Sequence, residues 1–167
     1  GELYVLDAGG KVVVLDGDFS PVREIAFTKD GQPYETTELK SLWVDADGTL
    51  LVVDRSKKIM FRTDQQGRVI QEYGKPDTDL IDDTSDYLPC QAITDRLGMV
   101  YILAENQYRG IFKLTREGEF VTFFGSKSVT VDAGLLLDMF WRNFMTDTQI
   151  ANSRRYLPTE YSGMAID

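Results

Sequence analysis

The chain has 167 residues, with 18 Lys and Arg against 27 Asp and Glu, a formal net charge of −9, a single cysteine and no histidine. Lacking histidine, it cannot by itself build a Ser-His-Asp triad, a Cys-His pair or a His-ligated zinc site, and one cysteine rules out an intrachain disulfide or a paired-cysteine metal site. At 43% hydrophobic and 27% charged it reads as a soluble globular domain, and its acidity argues against nucleic acid as a partner.

The chain opens directly on a strand-like run, Leu3-Tyr4-Val5-Leu6-Asp7, without a basic region or an apolar signal core, so no targeting segment is read. Gly1 has the look of a scar from tag removal. Two further short runs follow, Val12-Val13-Val14-Leu15-Asp16 and Pro21-Val22-Arg23-Glu24-Ile25, giving an incomplete first unit over 3–27. A second unit over 41–74 contains Ser41-Leu42-Trp43-Val44-Asp45, Leu50-Leu51-Val52-Val53-Asp54, Ile59 to Asp64 and Val69 to Gly74. The third, over 91–125, repeats the order with Gln91 to Asp95, Val100 to Ala104, Ile111 to Thr115 and Phe120 to Gly125. Asp45 and Asp95, and Gly48 and Gly98 three residues after them, keep one register at about fifty residues. Four short strands per unit, closed by Asp/Gly turns, predict four-stranded antiparallel blades of a β-propeller. The consecutive apolar residues of 50–53 fit strands buried on both faces between neighbouring blades. A β-sandwich also explains short strands, but not the shared register.

After the third unit about 22 extra residues intervene before Gly163-Met164-Ala165-Ile166-Asp167, which reads as the first strand of a next blade. Within this insert, 126–160, the spacing of Leu136, Phe140 and Phe144, flanked by Leu137 and Trp141, predicts a helix, so that a helical insert is expected at about 130–155. Eleven residues rise about 16 Å, too short to span a bilayer. The strands total about three blades, and propellers close with four to eight. Either the chain is a fragment of a longer protein, or two copies form a homodimer that completes a six-bladed ring.

The pattern of Trp43-Val44-Asp45, Gly48 through Asp54, Ile59 through Asp64 and Tyr73-Gly74, repeated from Ile93-Thr94-Asp95 to Phe124-Gly125, resembles the NHL repeat of six-bladed propellers. It departs from that repeat twice. Ala104-Glu105 stands where the second strand of the third unit would end in Asp, and Arg55-Ser56-Lys57-Lys58 replaces an asparagine-rich turn. The string from Trp141-Arg142 through Pro158-Thr159-Glu160-Tyr161 resembles a bacterial subgroup of such proteins acting at the cell surface, which implies an extracellular or cell-surface location.

Candidate ligand- or partner-binding residues are Trp141, Arg142, Arg154, Arg155 and Tyr156 in the insert, and Tyr108 and Arg109 in the loop before 111. Arginine forks suit carboxylates and phosphates, and aromatic faces suit a docked partner. Asp77, Asp79, Asp82, Asp83 and Asp86 form an acidic loop with calcium-type ligands but no matching metal-loop spacing. The repeat-end aspartates Asp45, Asp54, Asp95 and Asp167 read as turn caps rather than as a carboxylate pair for acid–base work. Cys90 reads as a small core residue. No phosphate-cradling glycine motif occurs. The expectation is therefore a non-enzymatic propeller that presents a surface to a protein or small molecule and needs no cofactor. The alternative is a calcium-dependent lactonase- or hydrolase-like propeller enzyme, with calcium ligands drawn from Asp, Glu and Asn.

Overall fold

The computed structural model describes residues 1–7, 10–81, 86–105, 107, 109–125 and 163–165. They form thirteen strands: β1 (Leu3–Leu6), β2 (Val12–Leu15), β3 (Pro21–Ile25), β4 (Thr28–Lys29), β5 (Gln32–Pro33), β6 (Leu39–Val44), β7 (Leu50–Asp54), β8 (Ile59–Thr63), β9 (Val69–Tyr73), β10 (Leu88–Thr94), β11 (Val100–Glu105), β12 (Ile111–Leu114) and β13 (Phe120–Phe124). These build a three-stranded sheet β1-β2-β3, a hairpin β4-β5, and two four-stranded sheets, β6-β7-β8-β9 and β10-β11-β12-β13. Every ladder between them is antiparallel. The result is an all-β, propeller-like stack of repeated antiparallel sheets.

One element of the expected fold class is corrected. No helix occurs among the described residues, which are strands, turns and extended segments throughout. The helical insert expected at about 130–155 lies outside the described residues and is not carried forward. No described helix is therefore long and apolar enough to cross a membrane. The hairpin β4-β5 had no counterpart in the sequence reading, because two-residue strands leave no periodicity to detect.

β7 explains how the sheets stack. Leu50, Leu51, Val52 and Val53 are all fully buried, and alternate side chains leave a strand on opposite faces. Leu50 and Val52 join Phe61 in a core with Val12, Val14, Ile25 and Phe27 of the first unit. Leu51 and Val53 join Met60 and Tyr73 in a second core with Val100, Ile102, Phe112 and Leu114 of the third. Phe61 is the hub of the first core, with its ring centroid 5.1 Å from those of Phe27 and Tyr34. An uninterrupted apolar strand thus cements two interfaces at once.

The first strands of the two complete sheets lie side by side, as the inner strands of a propeller do. Trp43 Nε1 of β6 donates to Thr94 Oγ1 of β10 at 2.9 Å, and Ala92 N donates to Ser41 Oγ at 3.3 Å. Residues 163–165 continue the series: Met164 N donates to Gln91 Oε1 at 2.8 Å, and Gln91 Nε2 donates back to Met164 O at 2.9 Å. Each step sets a backbone amide of the later segment on a polar side chain of the earlier one.

The two ends of each sheet differ. At one end tight turns carry aspartate caps: Asp45 Oδ1 accepts from Ala46 N at 2.8 Å, and Asp95 Oδ1 accepts from Leu97 N and Met99 N, both at 2.9 Å. This is the turn-cap role expected of Asp45 and Asp95; Asp167 lies outside the described residues. At the other end the loops between successive sheets meet those between second and third strands, since Leu39 pairs with Asp54 and Leu88 with Glu105. The candidate site forms at this second end.

Candidate functional site

Asp54 closes β7 and is fully buried. Its carboxylate accepts from Thr37 N at 2.7 Å, Thr37 Oγ1 at 2.9 Å, Glu38 N at 3.2 Å and Lys57 N at 3.1 Å. Burial works against its charge, but the amides of Thr37 and Lys57 outweigh that penalty and hold the carboxyl below its ordinary range. Asp54 therefore fastens the loop leading into β6 to the loop leaving β7. Arg55 N donates to Glu38 O at 2.9 Å, which closes the same joint from the other side.

This joint presents a chain of alternating charges. Lys40 Nζ lies 2.9 Å from Glu38 Oε1, and Ser56 Oγ donates to Glu38 Oε2, also at 2.9 Å. Arg55 Nη1 lies 3.7 Å from Glu38 Oε1, while Arg55 Nη2 makes a short ion pair with Glu105 Oε2 of the third unit. Hydrogen bonds from Lys40, then from Ser56, hold the Glu38 carboxyl below its usual range, so it is ionised at neutral pH. The side chains of Lys40, Glu38 and Glu105 are about two-fifths exposed, so the network is open to solvent. Arg55 Nε is buried without a partner.

Two β-bulges mark the place. The β6-β7 ladder slips between Leu39 and Ser41, leaving Lys40 as the extra residue. The β10-β11 ladder slips between Pro89 and Gln91, leaving Cys90 extra. Bulges release a residue from its ladder and re-aim its side chain, and they concentrate near sites of function. Lys40 uses that freedom to reach Glu38. Cys90 Sγ donates to Leu103 O at 3.4 Å, and burial, then the charge of Glu105, push its thiol upward. A neutral thiol is a poor nucleophile.

The residues singled out from sequence fall elsewhere. Arg109 is exposed in the turn between β11 and β12, its amide donating to Gln107 Oε1 at 3.0 Å. Tyr108, Trp141, Arg142, Arg154, Arg155 and Tyr156 lie outside the described residues. Of the acidic loop, Asp86 pairs with Lys58 at 2.7 Å, while Asp82 and Asp83 lie outside the described residues. Among the described residues no group of three His, Cys, Asp or Glu is placed to share a metal ion. Glu38 and Glu105 are each engaged by cations, so this donor set does not fit calcium. What sequence reasoning missed was the pairing of the two departures from the repeat. Arg55 and Glu105 occupy the same place in successive units, and each had been noted only as an irregularity.

No protein family matches the chain, and no curated protein resembles it in sequence. Its fold resembles that of solved propeller-like structures. A streptogramin B lyase superposes with a TM-score of 0.52 at 17% identity, over 76% of this chain and 38% of that one. The hydrazine synthase of Kuenenia stuttgartiensis superposes with a TM-score of 0.50 at 16% identity, over 75% of this chain and 33% of that one. A virginiamycin B lyase from Staphylococcus aureus superposes less well, at 0.49 and 15% identity, over 74% and 37% of the two chains. The chain thus spans well under half the length of the structures it matches. The streptogramin B lyase and the hydrazine synthase are enzymes built on a similar fold, which corrects the expectation that such a fold marks a non-enzymatic binding or scaffold protein.

Proposed function

We propose that this chain supplies three NHL-type blades of a propeller enzyme, of the hydrolase or lyase class, that cleaves a small ester or lactone at the loop end of its inner strands. The observation that carries the reading is the ion chain Lys40–Glu38–Arg55–Glu105, set across two blades where both inner strands bulge. Glu38, ionised and partly exposed, is a carboxylate that can take a proton from water or from a carbon next to a carbonyl once Lys40 and Ser56 release it. Lys40 and Arg55 place two fixed positive charges beside it, where an oxyanion develops during either ester attack or elimination. The streptogramin B lyase among the structural neighbours supports the lyase side of this reading.

The test is turnover by the intact chain on a panel of aryl esters and small lactones, followed by acid release and by absorbance of any new conjugated double bond. Lys40→Ala and Glu38→Gln are expected to lower kcat by about a hundredfold or more. Turnover is expected to persist in EDTA, because both carboxylates are already engaged by cations. Absence of turnover on every substrate, or turnover indifferent to both substitutions, overturns the reading.

A further inference from the structure

We propose that Lys40, Arg55 and Ser56 form a carboxylate-binding cradle that Glu38 fills in the free protein, and that a carboxylate-bearing ligand takes its place. As a statement about substrate, this rests on the reading above; as a statement about binding, it stands on geometry alone.

Three donors, one from the bulge of β6 and two from the loop after β7, converge on one carboxylate. Lys40 Nζ and Ser56 Oγ each lie 2.9 Å from one of its oxygens, and Arg55 Nη1 stands 3.7 Å from the oxygen that Lys40 holds. The carboxylate so held is not part of the core, since the Glu38 side chain is 40% exposed. Its backbone is fixed, with the amide on Asp54 and the carbonyl accepting from Arg55 N, so only side-chain torsions need change for it to leave. The donors stay behind when it does. Arg55 remains anchored through Nη2 to Glu105, and Asp54 holds the Arg55–Lys57 loop by Lys57 N. Arg55 Nε, buried and unpartnered, gives the guanidinium a further unused N–H.

The surroundings suit an anion on an otherwise acidic protein. Residues 55–58, Arg-Ser-Lys-Lys, carry three positive charges in four positions, Lys58 being paired with Asp86 and Lys57 donating to Glu35 O. Displacing Glu38 also changes Glu38. Freed from Lys40 and Ser56, its carboxyl loses the hydrogen bonds that hold it below the usual range and becomes the stronger base beside the newly bound ligand.

The experiment titrates the full chain with succinate and, separately, with inorganic phosphate at constant ionic strength, read by calorimetry. Wild type, Glu38→Ala, Glu38→Gln and the double variant Glu38→Ala/Arg55→Ala are compared, with circular dichroism confirming that each is folded. Emptying the cradle by Glu38→Ala is expected to tighten succinate binding at least tenfold over wild type, and adding Arg55→Ala is expected to abolish that gain. Equal affinity of wild type and Glu38→Ala, or a gain that survives loss of Arg55, overturns the proposal. Tighter binding of phosphate than of succinate overturns the ligand class. Binding without turnover removes the proposed reaction and leaves the cradle, whereas turnover without binding does the reverse.

Discussion

Asp54 shows how one buried side chain holds a site in place through its backbone amides. It orders Thr37, Glu38 and Lys57 together, so Asp54→Ala leaves three part-buried amide donors without their charged acceptor. A loss of about 3 kcal/mol is expected in urea unfolding, reflecting donors left unsatisfied by a charged acceptor. Asp47 acts at the opposite end, accepting from Thr49 Oγ1 at 2.6 Å, Thr49 N at 2.9 Å and Arg116 Nη2 at 2.9 Å. The Thr49 side chain, then its amide, lower the carboxyl to about 2. A depressed pKa stabilises the folded state above the unfolded value, about 3.9, and that contribution fades as pH falls towards 2. The difference in urea midpoint between wild type and Asp47→Asn is therefore expected to shrink from pH 5 to pH 2. Gly67 is constrained in another way. Its φ is +86°, and an added Cβ would stand 2.4 Å from Ala26 O, so Gly67→Ala is expected to cost about 2 kcal/mol or more on the same measurement. At this scale the turn aspartates were legible, because their capping partners lie within four residues. The Arg55–Glu105 pair was not, because fifty residues separate its members and only the fold makes them neighbours.

Among the elements, the strands were the most readable part of the chain. The apolar run 50–53 announced a strand covered on both faces, and β7 is that strand. The Asp-x-x-Gly spacing marked where ladders turn, and Gly48 and Gly98 both adopt the left-handed φ this requires. Bulges were invisible, since one extra residue in a strand does not disturb a pattern of mixed exposure, and it is the bulges that present Lys40 and Cys90. Contact between neighbouring inner strands was equally hidden. Trp43→Phe removes the bond from Nε1 to Thr94 Oγ1 while keeping an aromatic ring in place. A loss of about 1 kcal/mol is expected, measured by unfolding followed through tyrosine circular dichroism rather than through the deleted indole.

For the molecule as a whole, the first sheet has three strands where the two later large sheets have four, and its edge strand β1 pairs with β2 alone among the described residues. Unpaired edges recruit strands. Light scattering across a concentration series is expected to show association above the 18.9 kDa of a single chain, the outcome a two-copy ring requires; a constant single-chain mass would remove that ring. Between blades, the cement is not uniform. Where the second unit reads Asp54-Arg55, the third reads Ala104-Glu105, and the short ion pair joins the arginine of one to the glutamate of the other. Two copies of the second unit set side by side would oppose arginine to arginine, and two copies of the third glutamate to glutamate. The repeats have therefore ceased to be interchangeable tiles. Duplicating, deleting or shuffling a unit would not merely lengthen or shorten the stack but would also break the ion pair that joins these two neighbours.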